Sequence, residues 1–171
     1  MRKPLLVTAA KEKKLIVTLT NKLIETYPDI SAENTLVVMV SPDYSATVAM
    51  HIAHNLSKHG EMCDVLPIHV AYPDENEHKY VRKADQDIDA WFKFSDVQYK
   101  YYLLVEAGVI RGGTYTWLNK LFRNKVTGTI ITTSLYENIG SRFKSDVVGE
   151  YYDDTKQDLT FYFEAYNKHW N

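Results

Sequence analysis

The sequence predicts an α/β domain, in which helices flank a mostly parallel, twisted sheet. Continuous apolar runs at residues 35–40 and 101–105 are typical of strands that are buried on both faces. Amphipathic stretches with helical spacing lie between the apolar runs. Strands that alternate with helices are joined by right-handed crossovers, which make the sheet parallel. Ligands of such sheets bind at the carboxyl ends of the strands, so we expect the functional residues there.

The individual elements follow from periodicity and from turn residues. Helices are predicted over residues 11–27, 45–59 and 114–124, and strands over 35–40, 63–70, 101–105 and 126–133, with short β-like pieces at 146–149 and 159–163. Pro67 inside the second strand indicates an edge position or a bulge, because proline cannot donate to a ladder. Gly60 is expected to end the second helix. Residues 72–96 are charged and are predicted to be irregular.

Composition narrows the class of protein. The 171 residues, without a repeat or a Gly/Ser-rich linker, predict one domain over residues 1–171. A single cysteine, Cys63, cannot form an internal disulfide, which suits a reducing cytoplasm, the expected location. The net charge of −2 gives no electrostatic case for nucleic acid or an anionic membrane. No run of 18 apolar residues is present, so no transmembrane helix is expected.

The turn over residues 106–114 is the strongest candidate site. It holds Gly108, Gly112 and Gly113, and glycine allows several backbone N–H groups to point into one concavity. The start of the following helix adds positive potential, which Arg111 supplements, and Thr114 is expected to cap that helix. Together these features could form a site for a phosphate monoester. The alternative is a glycine-rich turn that only lets the helix pack closely on the sheet.

The segment 102–114 resembles the signature of the type I phosphoribosyltransferases. That signature is an apolar strand, two adjacent acids, a short apolar stretch and a Thr-Gly-Gly-Thr-like loop. The resemblance implies the transfer of ribose 5-phosphate between phosphoribosyl pyrophosphate and a nitrogenous base. It also implies a small hood from the C-terminal segment. Glu106 then takes the first acid position, as the catalytic residue that holds the ribose and holds Mg²⁺ through water. The implied 5′-phosphate loop comprises Ala107, Gly108, Arg111, Gly112, Gly113 and Thr114.

Looser similarity extends from Leu36 to the end of the chain. It implies a pyrophosphate loop made of Ser41, Pro42, Asp43 and Tyr44. Residues 145–150 and 161–164 resemble later segments of the family, and Tyr151 and Tyr152 are expected to stack on the base. Residues 72–87 are interpreted as a lid, whose basic side chains Lys79, Arg82 and Lys83 would meet the diphosphate.

Departures from the family pattern leave alternatives open. Ala107 replaces the second acid, Arg111 stands where a small hydroxyl residue is usual, and the strand at 129–133 lacks a lysine that would read a 6-oxopurine. One hypothesis is an enzyme that uses Mg²⁺. The second is a non-catalytic regulatory module that binds phosphoribosyl pyrophosphate or a nucleotide, and the third is a nucleotide-binding α/β domain outside this family. The expected partners are these small molecules, and a homodimer is the expected assembly.

Overall fold

The computed structural model describes residues 2–40, 42–57, 61–70, 78–95 and 97–161, without the side chains of 42–44 and 78–85. The strands are β1 (Lys3–Val7), β2 (Thr35–Val40), β3 (Asp64–Ile68), β4 (Tyr101–Val109), β5 (Thr129–Asn138), β6 (Val147–Tyr152) and β7 (Gln157–Phe161). The helices are α1 (Ala9–Thr26), α2 (Pro42–Leu56), α3 (His78–Phe94) and α4 (Gly113–Arg123), with a short 3-10 helix at Ala32–Asn34.

Five strands form a parallel sheet in the order β3-β2-β4-β5-β6, which confirms the predicted fold class. β3 is an edge strand, as Pro67 predicted. The chain adds β3 on one side of β2 and then crosses to add β4 on the other side. The strand order therefore reverses between β2 and β4. Open α/β sheets bind their ligands beside the carboxyl ends of the two strands at such a reversal, so we expect the ligand site there.

Two apolar clusters cover the two faces of this sheet. Helices α1 and α2 pack on one face, where Ile16 and Ile52 belong to the same cluster as Leu103. Helices α3 and α4 pack on the other face, where Ile88 and Leu118 belong to the same cluster as Leu104. Every residue of β2 is buried, as expected for a strand covered on both sides. No helix in the described ranges is long and apolar enough to cross a membrane.

A second, two-stranded sheet packs against the first, where Leu159 of β7 approaches Gly108 of β4. β1 pairs in parallel with β7, from Lys3 with Gln157 to Val7 with Phe161. We expected a hood from the C-terminal segment; β1 contributes to it as well, and the short apolar run of β1 was not predicted as a strand. Residues 162–164, part of the predicted closing segment, lie outside the described residues.

Several predicted boundaries were wrong. Helix α2 begins at Pro42 rather than Ser45, because proline has a helical φ and lacks an N–H group that the first turn would leave unpaired. It ends at Leu56, and Gly60 lies outside the described residues. Residues 72–96 are not irregular throughout, because α3 occupies most of that stretch. β4 continues four residues past Val105, since β5 continues to pair with it.

Candidate functional site

The candidate site lies where β2 and β4 end. Met39 pairs with Val105, so Glu106 lies level with the last residue of β2, Val40. β4 then runs on to Val109, and three residues lead into α4. Both strand-to-helix turns singled out from the sequence thus flank the crevice where the strand order reverses.

Gly112 shapes the turn after β4. It is the N-cap of α4 and has φ 76° and ψ 14°, in the left-handed region. A Cβ at this position would overlap Phe143 Cβ and lie 2.9 Å from Ser141 Oγ. Glycine is therefore required both by the backbone conformation and by the close approach of the loop after β5.

Gly113 differs from its neighbour because space around it is open. A Cβ there would meet no atom within 4 Å. The first helical hydrogen bond of α4 runs from Thr116 N to Gly112 O at 3.0 Å, so the N–H groups before Thr116 have no partner within the helix. An exposed helix start with open space above its first residue is suited to binding an anion.

Thr114 and Glu106 lie behind this helix start. The Thr114 side chain hydrogen-bonds the Glu106 carboxyl group. Burial raises the Glu106 pKa to about 8, and the Thr114 bond only partly opposes this. Glu106 is 6% exposed and carries a proton near neutral pH. The prediction that Thr114 caps α4 was wrong, because Gly112 is the cap residue and Thr114 lies within the first turn.

Two predicted members of the phosphate loop belong to the strand instead. Ala107 is 3% exposed and packs in the cluster under α1 and α2. Gly108 pairs with Tyr136 of β5, and a Cβ on it would lie 3.3 Å from Leu159 Cδ2 of β7. Continued pairing with β5 carries both residues into the sheet. The turn therefore comprises only residues 110–112, and Gly113 and Thr114 begin α4. Arg111 is exposed in this turn.

The predicted pyrophosphate loop and the predicted lid both lie largely in helices. Ser41 lies outside the described residues, and Pro42, Asp43 and Tyr44 form the first turn of α2 rather than a loop. The predicted lid residues Lys79, Arg82 and Lys83 lie in helix α3, not in a loop, and their side chains lie outside the description.

The two predicted stacking tyrosines lie on opposite faces of β6. Tyr151 is 55% exposed, whereas Tyr152 is 4% exposed and packs in the core. The alternation of side chains along a strand separates them. Stacking of a base on Tyr152 was thus a wrong prediction, and Tyr151 alone stays a candidate.

Sequence reasoning missed Asn138, the last residue of β5. It is 3% exposed, and its side chain donates to Ile110 O in the turn after β4 at 3.2 Å. No local motif marks it, because its partners come from distant parts of the chain. Among the described residues, no group of three or more His, Cys, Asp or Glu side chains converges as a metal site.

Solved structures of one fold align with nearly the full length of the chain. It matches a purine phosphoribosyltransferase from Pyrococcus horikoshii Ot3 with a TM-score of 0.68 and 14% identity, over 96% of this chain and 95% of that one. It matches the Helicobacter pylori xanthine-guanine-hypoxanthine phosphoribosyltransferase with a TM-score of 0.64 and 17% identity, over 99% and 98%. A hypothetical protein from Neisseria gonorrhoeae with bound ppGpp matches with a TM-score of 0.67 and 12% identity, over 96% and 90%.

The chain thus has the fold of the type I phosphoribosyltransferases, as the resemblance of residues 102–114 predicted. No protein-family model matches the sequence. No curated protein matches it either.

Proposed function

We propose that this protein is a phosphoribosyltransferase that binds phosphoribosyl pyrophosphate through the start of α4. The observation that carries the proposal is the left-handed Gly112 cap, with open space at Gly113, at the reversal of strand order. The 5′-phosphate would accept hydrogen bonds from the N–H groups before Thr116. Arg111 would add a positive charge at the exposed side of the turn.

Glu106 would hold the ribose hydroxyls next to this phosphate. It lies at the crevice end of β4 and is tied by Thr114 to the same helix start that would hold the phosphate. As a carboxylate it accepts hydrogen bonds from hydroxyl groups, whereas its protonated form accepts them less strongly. Because burial favours the protonated form, sugar binding would draw a proton off Glu106.

The reaction itself is a displacement at C1 of the ribose. A base nitrogen forms a bond to C1, the bond from C1 to the diphosphate oxygen breaks, and pyrophosphate leaves with that electron pair. The proton of the base N–H is released to solvent or to the leaving group. Glu106 would hold Mg²⁺ through a water molecule, and the metal would supply positive charge that stabilises the leaving diphosphate.

A second candidate function is non-catalytic binding of a nucleotide. Ala107 favours it, because the residue after Glu106 faces the core and leaves the ribose with one acid. The Neisseria gonorrhoeae protein of the same fold holds ppGpp. Under this hypothesis the same turn binds a phosphate of the nucleotide, and no bond at C1 is broken.

Calorimetry with Mg²⁺ and phosphoribosyl pyrophosphate, followed by assays of pyrophosphate release over a panel of bases, separates the two candidates. The enzyme predicts binding together with release for at least one base. Binding without release for any base would favour the regulatory module. Absence of binding to phosphoribosyl pyrophosphate, with binding of ppGpp retained, would remove the transferase and keep the nucleotide site.

A further inference from the structure

Asn138 contacts three separate turns through one buried side chain. Its Nδ2 donates to Ile110 O at 3.2 Å. Its Oδ1 accepts from Gly140 N at 3.2 Å and from Asp154 N at 3.3 Å. The side chain is buried to all but 3%, so these bonds form away from competing water.

The three turns follow three neighbouring strands of the sheet. Ile110 lies in the turn after β4, Gly140 in the turn after β5, and Asp154 in the turn after β6. The turn after β6 leads directly into β7, whose Leu159 approaches Gly108. One amide therefore joins the turn before α4 to the segment that enters the two-stranded sheet.

We infer that Asn138 is a positioning residue, which fixes the phosphate-binding turn by holding Ile110 O. This inference rests on the proposed function, because it assigns Asn138 a part in that site. Ile110 lies two residues before the left-handed Gly112, so an anchored carbonyl restricts the backbone that aims the N–H groups at the start of α4. A turn that is already ordered binds its ligand without the cost of ordering it.

The role requires an amide. The side chain must donate to one carbonyl and accept from two N–H groups, and an asparagine amide carries both a donor and an acceptor. Leucine has a similar shape but neither function. Aspartate, when ionised, keeps the acceptor and loses the donor, so it separates the bond to Ile110 from the bonds to Gly140 and Asp154.

The first experiment compares Asn138→Leu with Ser134→Ala. Ser134 is fully buried in the same strand, and its Oγ is bonded to Ser145 Oγ at 3.2 Å and not to Ile110, Gly140 or Asp154. Calorimetry with ribose 5-phosphate should give a Kd about tenfold higher for Asn138→Leu, equivalent to about 1.4 kcal/mol, and an unchanged Kd for Ser134→Ala. Where the parent protein turns over, KM for phosphoribosyl pyrophosphate should rise with kcat nearly unchanged.

Hydrogen exchange without ligand tests the same inference independently of the proposed function. In Asn138→Leu the amides of Thr116 and Asp154 should exchange faster, because the turns before α4 and β7 lose their anchor. In Asn138→Asp at pH 7 only Thr116 should exchange faster, since the acceptor for Asp154 N is kept. This second variant also serves if Asn138→Leu does not fold.

The outcomes distinguish the two proposals. If the parent protein does not bind ribose 5-phosphate, the proposed phosphate site is wrong. The exchange rates would still test whether Asn138 holds the turns. Equal loss of affinity in Asn138→Leu and Ser134→Ala would show that Asn138 contributes only to the general stability of the fold. Unchanged exchange at Thr116 in both Asn138 variants would overturn the inference.

Discussion

The turns after β2 and after β4 flank the same crevice but are built differently. After β2, a single residue separates Val40 from the helix that begins at Pro42, and Ser45 Oγ donates back to Val40 O. After β4, three residues intervene, and a left-handed Gly112 directs the chain into α4. Pro42 brings no N–H group to its helix start, whereas Gly113 presents one under open space. The comparison favours the turn after β4 as the proposed anion site, because the helix start after β2 lacks the N–H group of its first residue.

The largest effect is expected from Gly112→Ala, which attacks the shape of the turn after β4. The left-handed φ and the overlap with Phe143 should together lower the free energy of unfolding by roughly 2–5 kcal/mol. Ligand binding should be lost as well, because the N–H groups can no longer converge. Urea unfolding and calorimetry with ribose 5-phosphate measure both. A variant that unfolds at the parent's midpoint would show that the turn has another conformation in solution.

Gly113→Val should separate binding from stability at the adjacent position. A Cβ at this position meets no atom of the protein within 4 Å, so the melting temperature should stay or rise slightly. It would fill the space proposed for the phosphate and should weaken ribose 5-phosphate binding by about tenfold or more. Asn124→Val, at the other end of α4, is the matched control and should keep the affinity. Unchanged affinity in Gly113→Val would place the phosphate elsewhere.

The contrast between the two turns was only partly predictable from the sequence. The local sequence predicted where the site lies. Apolar runs indicated that β2 and β4 are buried on both faces, and the glycines at 112 and 113 indicated a turn with left-handed backbone. The extension of β4 through Ala107 and Gly108 could not be predicted, since it depends on pairing with β5 rather than on strand propensity. The role of Asn138 depends on turns that are 28 and 16 residues away along the chain.

Helix α3 was missed for a different reason. Its sequence is rich in charge, and charged stretches commonly form solvated loops, so the stretch was interpreted as a lid. Ile88, Trp91 and Phe92 nevertheless belong to or pack against the cluster on the α4 face. Tertiary packing of these few apolar residues explains a helix that composition alone did not indicate.

Glu106→Gln should change how stability and binding depend on pH. The Glu106 pKa is raised from 4.5 to about 8, so the folded protein keeps a proton that the unfolded chain releases between these values. The contribution of protonated Glu106 to the free energy of unfolding is fully present below about pH 4.5. It is lost as the pH rises from there through 8, by at most about 1.4 kcal/mol per pH unit. Urea unfolding of the parent and of Glu106→Gln should show that the free energy of unfolding falls less between pH 6 and pH 8.5 in the variant.

Binding should have the opposite pH dependence in the parent. If the carboxylate holds the ribose, affinity for phosphoribosyl pyrophosphate rises up to about pH 8, and the slope disappears in Glu106→Gln. Inorganic phosphate, which has no ribose, is the control ligand, and its affinity should be nearly equal in the two proteins at each pH. An identical pH slope for phosphoribosyl pyrophosphate in both proteins would remove Glu106 from the sugar site.

The smallest effect is expected from Ser45→Ala in the turn after β2. Loss of the bond from Ser45 Oγ to Val40 O should cost about 1 kcal/mol of the free energy of unfolding. Because the phosphate is assigned to the turn after β4, the affinity for ribose 5-phosphate should not change. The affinity for inorganic pyrophosphate with Mg²⁺ is the sharper measurement, since residues 41–44 were predicted to hold that group. A loss of pyrophosphate affinity in Ser45→Ala, with ribose 5-phosphate affinity intact, would show that the turn after β2 takes part in binding and would end the contrast between the two turns.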